Sequence, residues 1–203
     1  MEQTLKAAHE LFAERGYAAV TMDEIAAAVG VTKPLLYNYF GNKEQLYIAC
    51  MERAGDSLIK TVAETVGESA NPGDALGAGV RAFFSFLDTD RAAWAVLFDE
   101  TLPHGGEVFD RVAAYRGQIL DLVSASLLAQ LPMRRREAAK TEVEALSTAL
   151  LGAAEALARW WLRTEAISAK DAAELLISTV EPGIRDRSTP ASTSNPQGGD
   201  SSR

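Results

Sequence analysis

The sequence predicts an all-α fold, and three observations support this. Apolar residues recur at helical spacings of three and four through most of the 203-residue chain. No stretch alternates apolar and polar residues for long enough to form a strand. Breaks rich in Pro and Gly, such as Asn71-Pro72-Gly73, separate the helical stretches.

Residues 1–45 predict a three-helix domain that contains a helix-turn-helix. The first helix carries an apolar stripe of Leu5, Ala8, Leu11 and Phe12. Gly16 is expected to end this helix. Thr21 and Glu24 then form the S/T-x-x-E pattern of a capping box, in which each side chain satisfies a backbone N–H of the other.

The second predicted helix ends at a tight turn that leads into the third. Its apolar face consists of Ile25, Ala28 and Val29. Gly30 tolerates the positive φ that such a turn needs. Thr32 is a good N-cap for the next helix, and Pro34 fits only within its first turn. Two short helices joined in this way are typical of a helix-turn-helix, whose second helix enters the DNA major groove.

A further helix begins after the motif, with Asn42 as its N-cap and Gln45 three residues later. Lys43 lies in the first turn of this helix. Because a cation there opposes the helix dipole, we expect it to contact an external anion such as a phosphate.

Taken together, these segments closely resemble the DNA-binding domain of the TetR family of bacterial transcriptional regulators. The resemblance rests on Leu11-Phe12-Ala13-Glu14-Arg15-Gly16-Tyr17, Val20-Thr21, Ile25-Ala26, Gly30-Val31-Thr32-Lys33, Leu36-Tyr37-Asn38-Tyr39-Phe40 and Lys43-Glu44-Gln45-Leu46. It implies these DNA-binding residues: Thr21, Thr32, Lys33, Pro34, Leu35, Tyr37, Asn38, Tyr39 and Lys43. Lys33, Leu35 and Asn38 would face the bases.

Charge and composition constrain this interpretation. The net charge is −8, and residues 1–50 contain six acidic and four basic side chains. We therefore expect modest phosphate affinity with a strong dependence on salt. Cys50 is the single cysteine, which excludes an intramolecular disulfide and favours a reducing compartment. No apolar stretch is long enough to span a membrane, so we expect a cytoplasmic protein.

Residues 46–184 predict a second, helical domain that binds an effector and dimerises. Its helices are expected at 43–67, 74–88, 91–100, 107–130, 134–164 and 168–181. Ser168 would cap the last helix, and Pro182-Gly183 would end the fold. Residues 185–203 are rich in Ser, Thr, Pro and Gly, which predicts a disordered tail.

The helix at 134–164 is apolar on two opposite sides. One side carries Val143, Leu146, Leu150, Ala153, Leu157 and Trp160, whereas the other carries Leu151, Ala154, Ala158 and Trp161. A core helix of a monomer would also show this pattern. With the amphipathic helix 172–180, it resembles the pair of helices through which TetR-like proteins dimerise. The resemblance implies a homodimer interface of Leu146, Leu150, Ala153, Leu157, Trp160, Leu175, Leu176 and Thr179.

Aromatic residues cluster in the middle of the chain, where the resemblance implies a ligand pocket between helices. The predicted pocket residues are Phe83, Phe86, Trp94, Phe98, Tyr115, Glu155 and Trp161. Any one of these aromatics could instead be ordinary core. Glu155 could contact a ligand, or it could pair with Arg159 one turn later. Asp99, Glu100 and His104 cluster near a loop, where solvated side chains are the simpler interpretation.

Catalytic and metal-binding motifs are absent from the sequence. His9, His104 and Cys50 are far apart, so we expect neither a metal nor a cofactor, and no enzyme. The predicted function is a homodimeric repressor that a small-molecule effector releases from a near-palindromic double-stranded DNA operator. The alternatives are a helical ligand-binding protein without DNA binding and, less favoured, a helical enzyme.

Overall fold

The computed structural model describes residues 2–98, 102 and 105–188. Within these residues the chain forms nine α-helices and no strand, which confirms the predicted all-α fold. The helices are α1 (Glu2–Ala19), α2 (Met22–Val29), α3 (Lys33–Phe40), α4 (Lys43–Gly67), α5 (Pro72–Thr89), α6 (Arg91–Leu97), α7 (Glu107–Ala129), α8 (Met133–Thr164) and α9 (Ala169–Ser188).

The predicted break at Gly16 is confirmed, because helical dihedrals are interrupted there with φ 75° and ψ 160°, although α1 as a whole continues to Ala19. Two other predicted helix ends are wrong. Helix α6 ends at Leu97 rather than near residue 100. Helix α9 continues through Pro182 to Ser188, because an internal proline removes one backbone hydrogen bond without forcing the helix to end.

Some predictions concern residues outside the described part of the chain. The acidic cluster with Asp99, Glu100 and His104 lies there, as do residues 189–203 of the predicted tail. Residues 185–188 belong to α9, so the tail does not begin at residue 185.

Helix α4 connects the two predicted domains. The boundary between residues 45 and 46 lies within its first turn, so one continuous helix crosses it. Near its start, Tyr47 is fully buried, and its ring meets those of Phe12 and Tyr17 edge to face at 4.9 and 5.0 Å. The Tyr47 hydroxyl donates a 2.7 Å hydrogen bond to the Val96 carbonyl of α6. Helices α1, α4 and α6 therefore share one core.

The helix-turn-helix has a small core of its own. Val20, Ile25 and Leu36 are almost completely buried and belong to the same apolar cluster as α4. The predicted inner face of α2 is partly wrong, because Ala26 is buried whereas Ala28 is exposed. Residues 26–28 are all alanine, so the sequence alone does not decide which of them faces the core, and packing does.

Helices α4 and α7 are in close contact where Gly55 faces Tyr115. A Cβ atom built on Gly55 would lie 2.6 Å from Cε1 of Tyr115. The Tyr115 hydroxyl lies 2.8 Å from Oδ1 of Asp56 and 3.3 Å from the Glu52 carbonyl, which fixes the ring against α4. The absence of a side chain at Gly55 therefore sets the spacing of the two helices.

We expect Gly55→Ala to lower the free energy of unfolding by about 1–2 kcal/mol, because overpacking outweighs the higher helix propensity of alanine. Gly117→Ala on α7 is the control, since nothing lies within 4 Å of the Cβ it would add. We expect this control to raise the free energy of unfolding by up to ~1 kcal/mol. Urea denaturation followed by circular dichroism measures both changes. A stabilised Gly55→Ala variant would contradict the close contact.

Candidate DNA interface and ligand cavity

The capping box at the start of α2 forms as predicted. The backbone N–H of Glu24 donates to Oγ1 of Thr21 at 3.3 Å, and the Thr21 N–H donates to Oε2 of Glu24 at 2.8 Å. Gly30 ends α2 with φ 69° and ψ 29°, the left-handed conformation expected of the turn. The orientation of α3 relative to α2 is therefore fixed by local backbone contacts.

Helix α3 is anchored by Leu36, which is 1% exposed. Most of its other side chains are exposed, including Leu35 at 41%, Tyr37 at 40% and Tyr39 at 58%. Thr32, Lys33, Pro34 and Asn38 are exposed as well. Thr32 occupies the N-cap position as predicted, but its side chain makes no capping hydrogen bond. Phe40 also packs against the core, and the remaining side chains of this two-turn helix present a large surface to a partner.

Lys33 forms an ion pair within the helix-turn-helix. Its Nζ lies 2.8 Å from Oδ1 and 3.0 Å from Oδ2 of Asp23 on α2. The hydrogen bond to Asp23 raises the pKa of Lys33. A DNA phosphate or base would have to compete with this carboxylate for the ammonium group.

Lys43 has partners inside the chain. Its Nζ donates to the carbonyls of Tyr17 at 2.9 Å and Val20 at 3.0 Å, and it lies 4.4 Å from the centre of the Tyr17 ring. Lys43 therefore does not depend on an external anion for its partners. An ammonium group has three N–H donors, so the third can still bind a phosphate. That contact stays a prediction.

A second ion pair joins α1 to α2. Arg15 donates to Oε1 of Glu24 at 2.8 Å, and this bond together with those from Thr21 lowers the pKa of Glu24 to about 2. Both cations on this side of the domain, Arg15 and Lys33, are thus held by acidic residues of α2. The excess of acidic residues in the N-terminal domain leaves little uncompensated positive charge near α3.

An apolar cavity of about 60 Å³ lies among α4, α5, α7 and α8. Most of its lining is aliphatic: Leu58, Val62, Val66, Ala75, Leu76, Gly79, Val80, Ile119, Leu122, Val123, Leu150, Leu151 and Ala154. Phe83 and Ser126 complete it, and the Ser126 hydroxyl donates to its own helix at the Leu122 carbonyl. This cavity can hold a hydrocarbon group but offers it almost no polar contact.

Only Phe83 of the seven predicted pocket residues lines this cavity. Phe98 and Tyr115 line a smaller neighbouring cavity of about 10 Å³, together with Arg116. Phe86, Trp94 and Trp161 line neither of these two cavities. Trp94 stacks on Phe98 with ring centres 4.1 Å apart, and buried Trp161 donates to the Ile167 carbonyl at 2.9 Å. These aromatics fill the core instead.

Glu155 is buried and pairs with a residue that the sequence did not indicate. Its Oε2 lies 3.0 Å from Arg116 of α7, and Arg159 also attracts the carboxylate electrostatically. Its Oε1 is buried without a hydrogen-bond partner. Burial raises the pKa of Glu155, and the two arginines partly oppose this shift. Glu155 lines neither cavity directly, although Arg116 lines the smaller one.

The outer face of α8 and α9 carries exposed apolar side chains. Trp160 is 38% and Leu175 is 52% exposed, Thr179 is exposed, and Leu146, Ala153 and Leu157 are half-buried. Leu150 and Leu176 are buried within the single chain, so their assignment to an interface is wrong. Four small residues of α8 that the prediction did not name are exposed as well: Ala145, Ala149, Gly152 and Ala156. Because α8 is apolar on both sides, spacing alone could not separate its inner face from its outer one.

The described residues contain no group of three or more His, Cys, Asp or Glu side chains that could hold a metal ion. None of the helices formed by these residues is both long and apolar enough to cross a membrane.

Two family profiles match the chain. Residues 5–50 match "Bacterial regulatory proteins, tetR family", and residues 72–181 match "Tetracyclin repressor-like, C-terminal domain". Among curated relatives, the transcriptional activator FasR of Mycolicibacterium smegmatis is 40% identical over 97 residues, which are 48% of this chain and 44% of FasR. The chain spans about half or less of the length of the curated relatives it matches first.

Solved structures share the fold over nearly the whole chain. A TetR-like regulator from Rhodococcus sp. RHA1 superposes with a TM-score of 0.75 at 29% identity, covering 91% of this chain and 94% of that one. AibR, solved with isovaleryl coenzyme A and operator DNA, superposes with a TM-score of 0.72 at 24% identity, covering 89% of this chain and 97% of AibR.

FadR from Bacillus subtilis, solved with stearoyl-CoA, gives a TM-score of 0.71 at 22% identity, with 87% of this chain and 97% of FadR covered. At these identities, the likeness to AibR and FadR concerns the fold alone. The two profiles together span both the helix-turn-helix and the helices around the cavity. The chain therefore belongs to the TetR family of bacterial regulatory proteins.

Proposed function

We propose that this protein is a homodimeric transcriptional regulator that binds a near-palindromic DNA operator through α3 and responds to a small-molecule effector. The observation that carries the proposal is α3 itself, a short helix anchored by Leu36 and partly buried Phe40, with its other side chains exposed. DNA-binding regulators work in the bacterial cytoplasm, where we therefore place the protein.

In the proposed complex, α3 enters the major groove. Lys33, Leu35 and Asn38 face base edges, with Pro34 and Leu35 against thymine methyl groups. Thr21, Thr32, Tyr37, Tyr39 and Lys43 contact the backbone, which positions the domain but carries no base information. The exposure of all these side chains except partly buried Lys43 supports the assignment.

The outer face of α8 and α9 forms the proposed dimer interface. Leu175 and Trp160 would supply large buried groups, and the small residues Ala149, Gly152 and Ala156 would let helices approach closely. A two-fold dimer requires half-sites about one helical turn, or a multiple, apart. The near-palindromic operator follows from this symmetry.

The effector would occupy the apolar cavity. AibR and FadR, whose folds are similar, were solved with acyl-CoA ligands, and an acyl chain suits a lining that is almost entirely aliphatic. We propose an effector with an acyl chain. The present cavity of about 60 Å³ must widen to admit a long chain, and widening moves α4 or α7.

Polar contacts at the other end of these helices connect the cavity to the DNA-binding domain. Gln45 donates to Glu107 of α7 at 2.8 Å, and Arg111 donates to Glu52 of α4 at 2.7 Å. Movement of α7 would pull on the start of α4, which carries the helix-turn-helix. We propose that the effector thereby releases a repressor from its operator.

The direct test is selection of bound fragments from genomic DNA, followed by footprinting. We expect protection of two related half-sites in inverted orientation. Failure to shift any genomic fragment at low salt would contradict the proposal and favour a ligand-binding protein without DNA binding.

Asp23→Asn should strengthen operator binding several-fold at low salt, because Lys33 no longer exchanges a carboxylate for a phosphate or base. The salt dependence of binding should steepen by about one ion. Fluorescence anisotropy across a salt series measures both effects. Glu68→Gln makes the same charge change at the end of α4 and is the control. Equal effects of the two substitutions would show that only net charge matters.

Leu175→Glu should weaken dimerisation by about a hundredfold or more, because the carboxylate would be buried without a partner. The monomer should stay folded, since the side chain is 52% exposed in a single chain. Phe109→Glu is the control, because Phe109 is also exposed but lies on α7 outside this face. Sedimentation velocity gives both dissociation constants. A Leu175→Glu variant that dimerises as well as Phe109→Glu would disprove the interface.

A further inference from the structure

We propose that Arg116 binds the anionic group of an amphiphilic effector and gives up Glu155, its partner in the present structure, when the ligand enters. The inference rests on the proposed effector response and specifies its ligand: an acyl chain that carries an anion.

Arg116 lies at the edge of the smaller cavity, where its side chain is partly exposed to solvent. Its side chain is 45% exposed and helps to line the smaller cavity. This cavity shares Leu58 and Ile119 as walls with the larger apolar cavity. An acyl chain in the larger cavity would therefore pass Leu58 and Ile119 to bring its head group to Arg116. Arg116 is the one cationic side chain that lines either of these two cavities.

Glu155 is an incompletely satisfied partner for this arginine. It is the single charged residue among the buried side chains of the described chain, and it is 8% exposed. One carboxylate oxygen pairs with Arg116, whereas the other is buried without a hydrogen bond. Burying a charge with half of its hydrogen bonds missing is costly, so the pair does not reach the stability of a fully bonded one. An ion pair that served only to link α7 and α8 would not require a buried carboxylate oxygen without a hydrogen bond.

The net charge of the site stays the same when Arg116 exchanges Glu155 for the ligand anion. The charged groups that act on the Glu155 carboxylate are Arg116 on α7 and Arg159 on its own helix. Burial already raises the pKa of Glu155, and loss of Arg116 removes the main opposing influence. Glu155 would then take a proton from solvent as the ligand anion pairs with Arg116. The site gains one negative charge and one proton, so its net charge does not change.

The test uses the full chain and three probes with the same chain length: decanoate, decanoyl-CoA and neutral decanol. Isothermal titration calorimetry gives each affinity. We expect decanoate to bind about tenfold or more tightly than decanol. Arg116→Gln should reduce this preference to about twofold or less, without changing the affinity for decanol, and Arg116→Lys should keep part of it. Arg134→Gln, at an exposed arginine that lines neither cavity, is the matched control.

The second measurement is proton uptake, obtained by titrating decanoate in buffers with different ionisation enthalpies. We expect uptake of up to about one proton per site near neutral pH. Glu155→Gln should abolish the uptake while ligand binding persists. A merely structural ion pair would not produce this signature. Stronger binding of decanoyl-CoA than of decanoate, with the same dependence on Arg116, would identify the anion as a coenzyme A phosphate.

Equal affinity for decanoate and decanol would overturn the inference. The inference would also be overturned if Arg116→Gln and Arg134→Gln lost the same affinity for decanoate, or if decanoate bound without proton uptake. If none of the three probes binds while the protein still protects its operator, the ligand class is wrong and the DNA-binding proposal stands. If the operator is not bound but decanoate binds as described, the DNA-binding proposal is wrong and the inferred ligand class stands.

Discussion

Helix α4 determines how the rest of the molecule is arranged. Its first turns place Leu46, Tyr47 and Cys50 in the core shared with α1, and its later turns supply Leu58, Val62 and Val66 to the cavity wall. No loop separates these two parts. Packed interiors transmit displacement rather than absorb it. We therefore expect a displacement of the cavity wall to move the start of the same helix. The hydroxyl of Tyr47 adds α6 to this unit through the Val96 carbonyl.

The electrostatics of the N-terminal domain follow from a different constraint. With more acidic than basic residues available, the domain neutralises Arg15 and Lys33 internally through Glu24 and Asp23. These pairs are exposed and contribute little to stability. Their main consequence concerns binding, because each cation must exchange a carboxylate for a DNA group. Affinity would therefore depend on geometry at α3 more than on a general positive surface.

The sequence predicted the helix-turn-helix well because local rules determine it. The capping box of Thr21 and Glu24 and the left-handed Gly30 form as predicted, and both depend only on residues a few positions apart. The cavity was predicted poorly. Aliphatic residues such as Val62 and Val80 follow the same helical spacing whether they fill a core or line a space, whereas the conspicuous aromatics Trp94 and Trp161 turned out to fill the core. The partner of Glu155 was also missed, because Arg116 comes from another helix and no local spacing relates the two residues.

The coupling between cavity and DNA-binding domain can be measured in the proposed dimer by the distance between spin labels at Ala28→Cys, an exposed position on α2. Cys50 is buried and its pKa is raised to about 12, so it will not react. Double electron–electron resonance should show the distance between labels change by a few ångströms or more when decanoate saturates the protein. Calorimetry on the same sample confirms that the ligand is bound. An unchanged distance in the fully liganded protein would contradict transmission through α4.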